Sequence, residues 1–254
     1  MPASPMSELF GQVALVTGAS RGIGRAIGLE LAAAGAAVLV HSRGQSAEAE
    51  QVVGQIRAAG GTAEVAPADL ADPAAIAGLV EHAWAFKGAV DIWVNNAGAD
   101  ILTGAAAQWS FDRKLDQLWQ IDVRATIELS RSIGARMKQR GSGVILNVGW
   151  DRAEHGMEGD SGELFAATKG AVMAFSRSLA RSLAPQVRVN CLAPGWIKTK
   201  WGERAPDYWQ ERAIGESLLQ RWGTPEDVAR VARFLASPAA AFVTGQVIPI
   251  NGGF

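Results

Sequence analysis

The chain has one cysteine in 254 residues, and that scarcity excludes an internal disulfide. A single thiol, Cys191, fits a reducing, cytoplasmic setting. Tyrosine is equally scarce, one residue against nine tryptophans, so the polar aromatic surface is indole rather than phenol. Neither sign of charge is in excess. The formal net charge is -1 and no basic block stands out, so nothing steers the chain toward nucleic acid or an anionic membrane. No apolar run approaches the ~20 residues a membrane-spanning helix needs. The first ten residues, MPASPMSELF, lack both a basic start and an apolar core, so no secretory signal is expected. Repeats, low-complexity tracts and linkers are absent, and no metal-ligand cluster is expected.

What is present is a globular composition, 48% hydrophobic, enough to bury a full core in one domain spanning 1–254. Residues 1–10 read as a flexible N-terminus. Short apolar runs at 13–17, 37–41, 62–66, 91–95, 143–148, 187–192 and 246–250 read as strands. Between them, periodicity near 3.6 predicts helices over 24–34, 47–59, 72–86, 113–138, 165–183 and 225–235. Asp160 with Glu163 reads as a capping box ahead of the fifth helical stretch. Thr224-Pro225-Glu226-Asp227 combines a cap residue, proline at the first helical position and acids in the first turn. Strand-helix alternation of this kind predicts an α/β fold: a Rossmann-type doubly wound, seven-stranded parallel sheet with helices on both faces.

Thr17-Gly18-Ala19-Ser20-Arg21-Gly22-Ile23-Gly24 follows the first strand and opens a helix. Glycines there permit a tight turn and close approach of a pyrophosphate, whose charge sits at the helix N-terminus. The second strand ends Val40-His41-Ser42-Arg43, with no acid to accept from a ribose 2′-hydroxyl. Arg43 and Arg21 instead suit a 2′-phosphate, which favours NADP(H) over NAD.

Four further segments stand in matching order: Asp69-Leu70, Asn95-Asn96-Ala97-Gly98, Pro194 through Thr199, and Gly245 through Gly253. With the glycine turn they make residues 10–254 resemble the short-chain dehydrogenase/reductase family, whose members move hydride between a nicotinamide and an alcohol or carbonyl. The resemblance implies that Gly18, Ser20, Arg21, Gly22, Ile23, Gly24 and Arg43 bind the cofactor. It assigns adenine contacts to Asp69 and Leu70, and lines the cofactor with Asn96, Ala97 and Gly98. Pro194, Gly195, Ile197 and Thr199 would meet the nicotinamide, and Lys169 its ribose. Residues 196–222 would form a substrate lid. Asn251 stands where an aspartate is usual. The resemblance also implies a homodimer or homotetramer, built on helices 113–138 and 165–183 at one interface and on the last helix and strand at another.

The family's machinery is an Asn-Ser-Tyr-Lys tetrad, and here only its lysine remains. In Phe165-Ala-Ala-Thr-Lys169 the tyrosine position holds phenylalanine, while i, i+4 spacing leaves both side chains on one helix face. The serine position is Trp150, with Asp151 or Arg152 able to occupy the serine's space, because Phe165 comes 15 residues later, a slightly wide gap. Asp122 replaces the asparagine. Three candidates could carry the missing proton: Asp122 through water and Lys169, His155 in the loop, or Asp151. Each also has a plain structural reading, as a lysine partner, a solvated histidine and a local salt bridge with Arg152. Glu163 is assigned to capping.

Trp84, Trp93 and Trp119 read as core or helix-face residues. Trp150, Trp196, Trp201 and Trp209 fall near the lid and could converge as a pocket for a flat, aromatic or cationic small molecule, or simply fill volume. Three functions stay open: an NADP(H)-dependent oxidoreductase acting on an imine, iminium or conjugated C=C; a silent NADP-binding protein; or a non-redox dehydratase or cyclase.

Overall fold

The computed structural model describes residues 8–253. Most of the expected flexible N-terminus, residues 1–7, lies outside the described residues, as does Phe254.

Strands β1 (Val13–Val16), β2 (Ala37–Ser42), β3 (Ala63–Pro67), β4 (Ile92–Asn95), β5 (Gly143–Val148), β6 (Val187–Pro194) and β7 (Val247–Ile250) form one parallel sheet in the order β3-β2-β1-β4-β5-β6-β7. Side chains alternate across it. Ala14 and Val16 of β1 and Ile92 and Val94 of β4 enter one core, while Val13, Leu15 and Trp93 enter the other. The first face is covered by α1 (Gly22–Ala33), α2 (Ala47–Ala58) and, introduced out of chain order, the helix Pro225–Ala236; it buries Ile27, Leu31, Val53 and Leu235. The second is covered by α3 (Pro73–Ala85) and by two longer helices described next. Each fully buried leucine or isoleucine contributes about 1.5–3 kcal/mol to this double-sided core.

The helix expected over 113–138 is two helices, α4 (Phe111–Leu118) and α5 (Ala125–Arg140), joined through a π-helical turn, Trp119–Arg124. The wider turn sets Asp122 and Val123 inward while Trp119 stays 49% exposed. Such a bulge leaves no mark on hydrophobic periodicity. Next comes α6 (Asp160–Leu183), five residues longer at its start than expected. The expected Asp160–Glu163 capping box does not form. Asp160 is already helical, and the cap is Gly159 at φ 85°, with no side-chain cap bond. The lid segment contains α7 (Asp207–Gly215), and α8 is the Pro225–Ala236 helix. At α8 the capping box is present. Thr224 accepts from the Asp227 amide at 3.2 Å, and Asp227 accepts from the Thr224 amide at 2.9 Å. Among the described residues, no helix is long and apolar enough to cross a membrane.

Chain order reverses across the sheet at β1 and β4, which lie side by side. In open α/β sheets the crevice beyond the strands' carboxyl ends at that point is where ligands bind.

Candidate active site

The turn from β1 into α1 is locked to the end of β4. Thr17 Oγ1 accepts from the backbone amides of Asn96 and Ala97, both at 2.9 Å. Asn96 Nδ2 donates back to Thr17 O at 2.9 Å and Gly18 O at 3.2 Å. A Cβ at position 24 would fall 2.3 Å from Gly18 O, and one at 18 would fall 2.9 Å from Ala97 Cα. Both glycines are therefore required by backbone proximity. Arg21 caps α1 without a side-chain bond, so the first amides of a twelve-residue helix remain open to an anion. These features fit a dinucleotide's pyrophosphate. Ser20 and Ile23 flank the turn, half-buried, and Arg21, Arg43 and Asp69 are exposed, with Leu70 buried. A cleft of about 340 Å³ runs from Gly22 to Thr199 and Lys198.

His41 is a part of this site that the sequence reading missed. Gly18 N donates to its Nδ1 at 3.0 Å, and its Nε2 lies 3.1 Å from Ala68 O. Nδ1 must accept and Nε2 must donate, so one neutral tautomer satisfies both partners. Burial pushes the ring down to a pKa of about 4, against smaller opposing effects from Ala68 and Asp69. The available signal was a histidine near the end of an otherwise apolar strand.

At the other end of the crevice, Lys169 Nζ lies 2.9 Å from Asp122 Oδ2 and donates to Val148 O at 3.3 Å. Asp122 Oδ1 accepts from Ala99 N at 2.8 Å, so both carboxylate oxygens are engaged. The Asp122 side chain is 1% exposed. A Cβ at position 98 would meet Asp122 Oδ2 at 2.8 Å, which is why Gly98 stands there. Beneath the pair, Asn95, Ser130, Asn147 and Ser176 form a buried hydrogen-bonded chain joining β4, β5, α5 and α6. Phe165, one turn before Lys169, meets Trp150 edge-on with ring centroids 6.2 Å apart.

Asp151 follows Trp150 and is 7% exposed. Its Oδ2 accepts from Asn251 Nδ2 at 3.2 Å, and its Oδ1 makes no hydrogen bond among the described residues. Burial pushes the Asp151 carboxyl up, against the Asn251 amide and the charge and backbone amide of Arg152, while Glu216 adds to the rise. Arg152 pairs with Glu216 of the lid, and its charge also acts on the Asp151 carboxyl. His155 is exposed in the next turn. Glu163 is exposed on α6 and makes no cap.

The lid leaves and rejoins the fold at one point, where Ile197 bridges Gly223 and Gly223 N donates to Trp196 O at 2.9 Å. Trp196, Trp201 and Trp209 meet each other with centroids 5.6–6.4 Å apart. Trp222, absent from the expected set, completes the group at 5.9 Å from Trp196. Trp150 lies outside this quartet, with Phe165 as its ring partner. Glu216 ties the lid down, accepting from Trp196 Nε1 at 2.7 Å and Arg212 Nε at 2.8 Å as well as from Arg152. Burial opposes it, yet those hydrogen bonds and the two arginine charges hold the Glu216 carboxyl below its usual range. Among the described residues there is no metal-ligating cluster.

Comparison with known proteins agrees with this geometry. The family described as Enoyl-(Acyl carrier protein) reductase matches residues 18–254. The chain is 35% identical over 248 residues to the 3-oxoacyl-[acyl-carrier-protein] reductase of Pseudomonas aeruginosa, covering 97% of this chain and 98% of that protein. It is 37% identical over 263 residues to the cyclohexanol dehydrogenase of a Rhodococcus species, covering 96% of each. Among solved structures, a 7α-hydroxysteroid dehydrogenase complexed with NADH and 7-oxo glycochenodeoxycholic acid superposes with a TM-score of 0.89 at 30% identity, covering 100% of this chain and 97% of the other. A short-chain dehydrogenase from Burkholderia cenocepacia in complex with NADP gives a TM-score of 0.87 at 33% identity, covering 97% and 99%. The sheet order, the glycine turn locked to β4 and these matches make the chain a member of the short-chain dehydrogenase/reductase family, an oxidoreductase scaffold.

Proposed function

We propose that this protein is an NADP(H)-dependent reductase whose substrate accepts hydride without the family's phenol: an imine, an iminium ion or a conjugated C=C. What supports the reading is the glycine turn locked to β4, together with the edge-on contact of Phe165 and Trp150 at the positions where the resemblance puts a tyrosine and a serine. Gly18, Gly22 and Gly24 would admit the pyrophosphate, Arg21 and Arg43 a 2′-phosphate, and Asn96 through Gly98 the adjoining ribose. Lys169, steadied by Asp122, would hold the nicotinamide ribose. A reduced nicotinamide bound there supplies hydride.

A positioned acid is typically worth ~10²–10⁴ in rate, roughly 3–5.5 kcal/mol. Plain ketones need that acid for the alkoxide they become. Phe165 has no proton to give, so ketone reduction by the family's route is slow. An iminium ion needs none, because hydride transfer itself neutralises its charge. The indoles of Trp196, Trp201 and Trp209 pack on one another, so in this reading they stiffen the lid, while Trp150 packs on Phe165.

The decisive measurement is NADPH oxidation with a panel of cyclic imines, iminium salts and enones beside cyclohexanone. Turnover of at least one of the first three classes, exceeding that of the ketone, is the expected result. Tight NADPH binding with no turnover across the panel would instead favour a silent NADP-binding protein. A cytoplasmic homodimer or homotetramer belongs to the same proposal. Phe234 on α8 and Phe242 before β7 are large exposed apolar side chains beside the last helix and strand, where the resemblance implies an interface. Light scattering tests it.

A further inference from the structure

An imine, unlike an iminium ion, still requires one proton at nitrogen, and the site must hold a donor for it. Asp122 is unsuited. Both of its oxygens are engaged, one by Lys169 and one by the Ala99 amide, so neither is left to face a substrate. His155 is exposed in its turn. Asp151 is different on each count. It is 7% exposed, one oxygen accepts from Asn251, and the other is shielded and without a hydrogen bond among the described residues. A carboxyl in such surroundings is favoured as the neutral acid, since burial disfavours the charged form.

Position agrees. Asp151 stands just past β5, and its Oδ2 lies 2.9 Å from where a Cβ on Gly195 would be, just past β6. Asn251, just past β7, has its own Cβ 2.5 Å from that same point. The ends of three neighbouring strands thus meet at this carboxyl, on the edge of the sheet where ligands bind. Residue 251 explains itself here. The family's usual aspartate would set a second carboxylate against Asp151, whereas the asparagine amide donates to it. The charged groups nearby are Arg152, on the same turn, and Glu216 of the lid, which pair with each other.

We infer that Asp151 is the proton donor of this site, its carboxyl oriented by Asn251 and presenting the proton to an imine nitrogen. The inference rests on the hydride-transfer reading above. The Asp151 O–H bond breaks and an N–H bond forms, as hydride from the reduced nicotinamide makes the C–H bond at the adjacent carbon. The C=N bond becomes a C–N single bond, and the Asp151 carboxylate recovers its proton from water.

Two substrates separate the roles. The protein and its Asp151→Asn variant are assayed with NADPH on 3,4-dihydroisoquinoline, which needs a proton, and on its N-methyl iminium salt, which does not. The variant is expected to lose ~10²–10⁴-fold on the imine and to stay within a few-fold on the iminium. Equal losses on both overturn the assignment in favour of a structural role. Independently of turnover, isotope-edited infrared spectra should show a carboxylic-acid band assigned to Asp151 that persists above the ordinary carboxylate range. Should the Asp151→Asn variant fold poorly, Asn251→Asp serves: it moves the titration of that band to higher pH. A band that titrates in the ordinary range, or does not move in Asn251→Asp, sinks the role of Asp151 whatever the turnover. A raised band with neither substrate reduced by the wild type sinks the hydride-transfer reading instead, and with it the donor role.

Discussion

The two ends of the crevice are built on different principles. At the nucleotide end, contact is made by backbone: Gly18, Gly22 and Gly24 are defined by what cannot be added to them, and Thr17 and Asn96 bind main-chain groups. At the reacting end, contact is made by side chains: Asp122 with Lys169, Asp151 with Asn251, and Phe165 with Trp150. A backbone-defined site tolerates almost no substitution without losing its shape. A site defined by side chains can exchange its chemistry while the strands beneath it keep their register.

The contrast can be broken or sharpened by substitution, and the largest effect belongs to the buried pair. Asp122→Asn leaves the Lys169 ammonium, 13% exposed, without its counter-charge. The expected cost is about 4 kcal/mol, a fall in Tm of about 10 °C. A Tm within two degrees of wild type in scanning calorimetry would show that the pair is not a structural element. Gly24→Ala comes next, because its Cβ would meet Gly18 O at 2.3 Å. NADPH binding, followed by tryptophan quenching, should weaken by about 100-fold, equivalent to about 3 kcal/mol. Undiminished affinity would remove the claim that backbone proximity defines that end.

The histidine of the nucleotide end adds a pH signature. Its folded pKa of about 4 lies below the unfolded value of 6.5, so the unfolded chain takes up the proton first as pH falls. Stability from this group is full above pH 6.5, declines between 6.5 and 4, and is flat below; the loss is about 3 kcal/mol. Urea unfolding across that window should show a slope that His41→Gln removes. A smaller effect is expected in the lid. Glu216→Gln weakens the ties to Arg152 and Arg212, with a cost of about 1 kcal/mol, and leaves the sheet untouched. Proteolysis within 199–215 should accelerate while global Tm moves by only about 3 °C. Unchanged proteolysis would mean that indole packing alone holds the lid.

Strands and helices were largely legible because each buried strand carries a short apolar run and each helix a face of matching period. The glycine turn was legible because its physical requirement, the absence of a side chain, is written directly in residue identity. The π-turn at Trp119–Arg124 was not, since widening a helix by one residue leaves composition and period almost unchanged. The Asp160–Glu163 spacing suggested a cap that Gly159 pre-empted by taking the left-handed conformation one residue earlier. Trp222 escaped notice among the lid indoles because it sits 21 residues from Trp201 and meets it only through the return of the chain at Gly223.

Residue identity and spacing by themselves determined the doubly wound sheet and the glycine turn, because each depends on local pattern or on the absence of a single side chain. Tertiary structure alone decided how each carboxylate is engaged. Asp122 and Asp151 are the same residue type, and only the groups brought against them differ: Lys169 and an amide against one, and Asn251 against the other, whose second oxygen is buried without a hydrogen bond among the described residues.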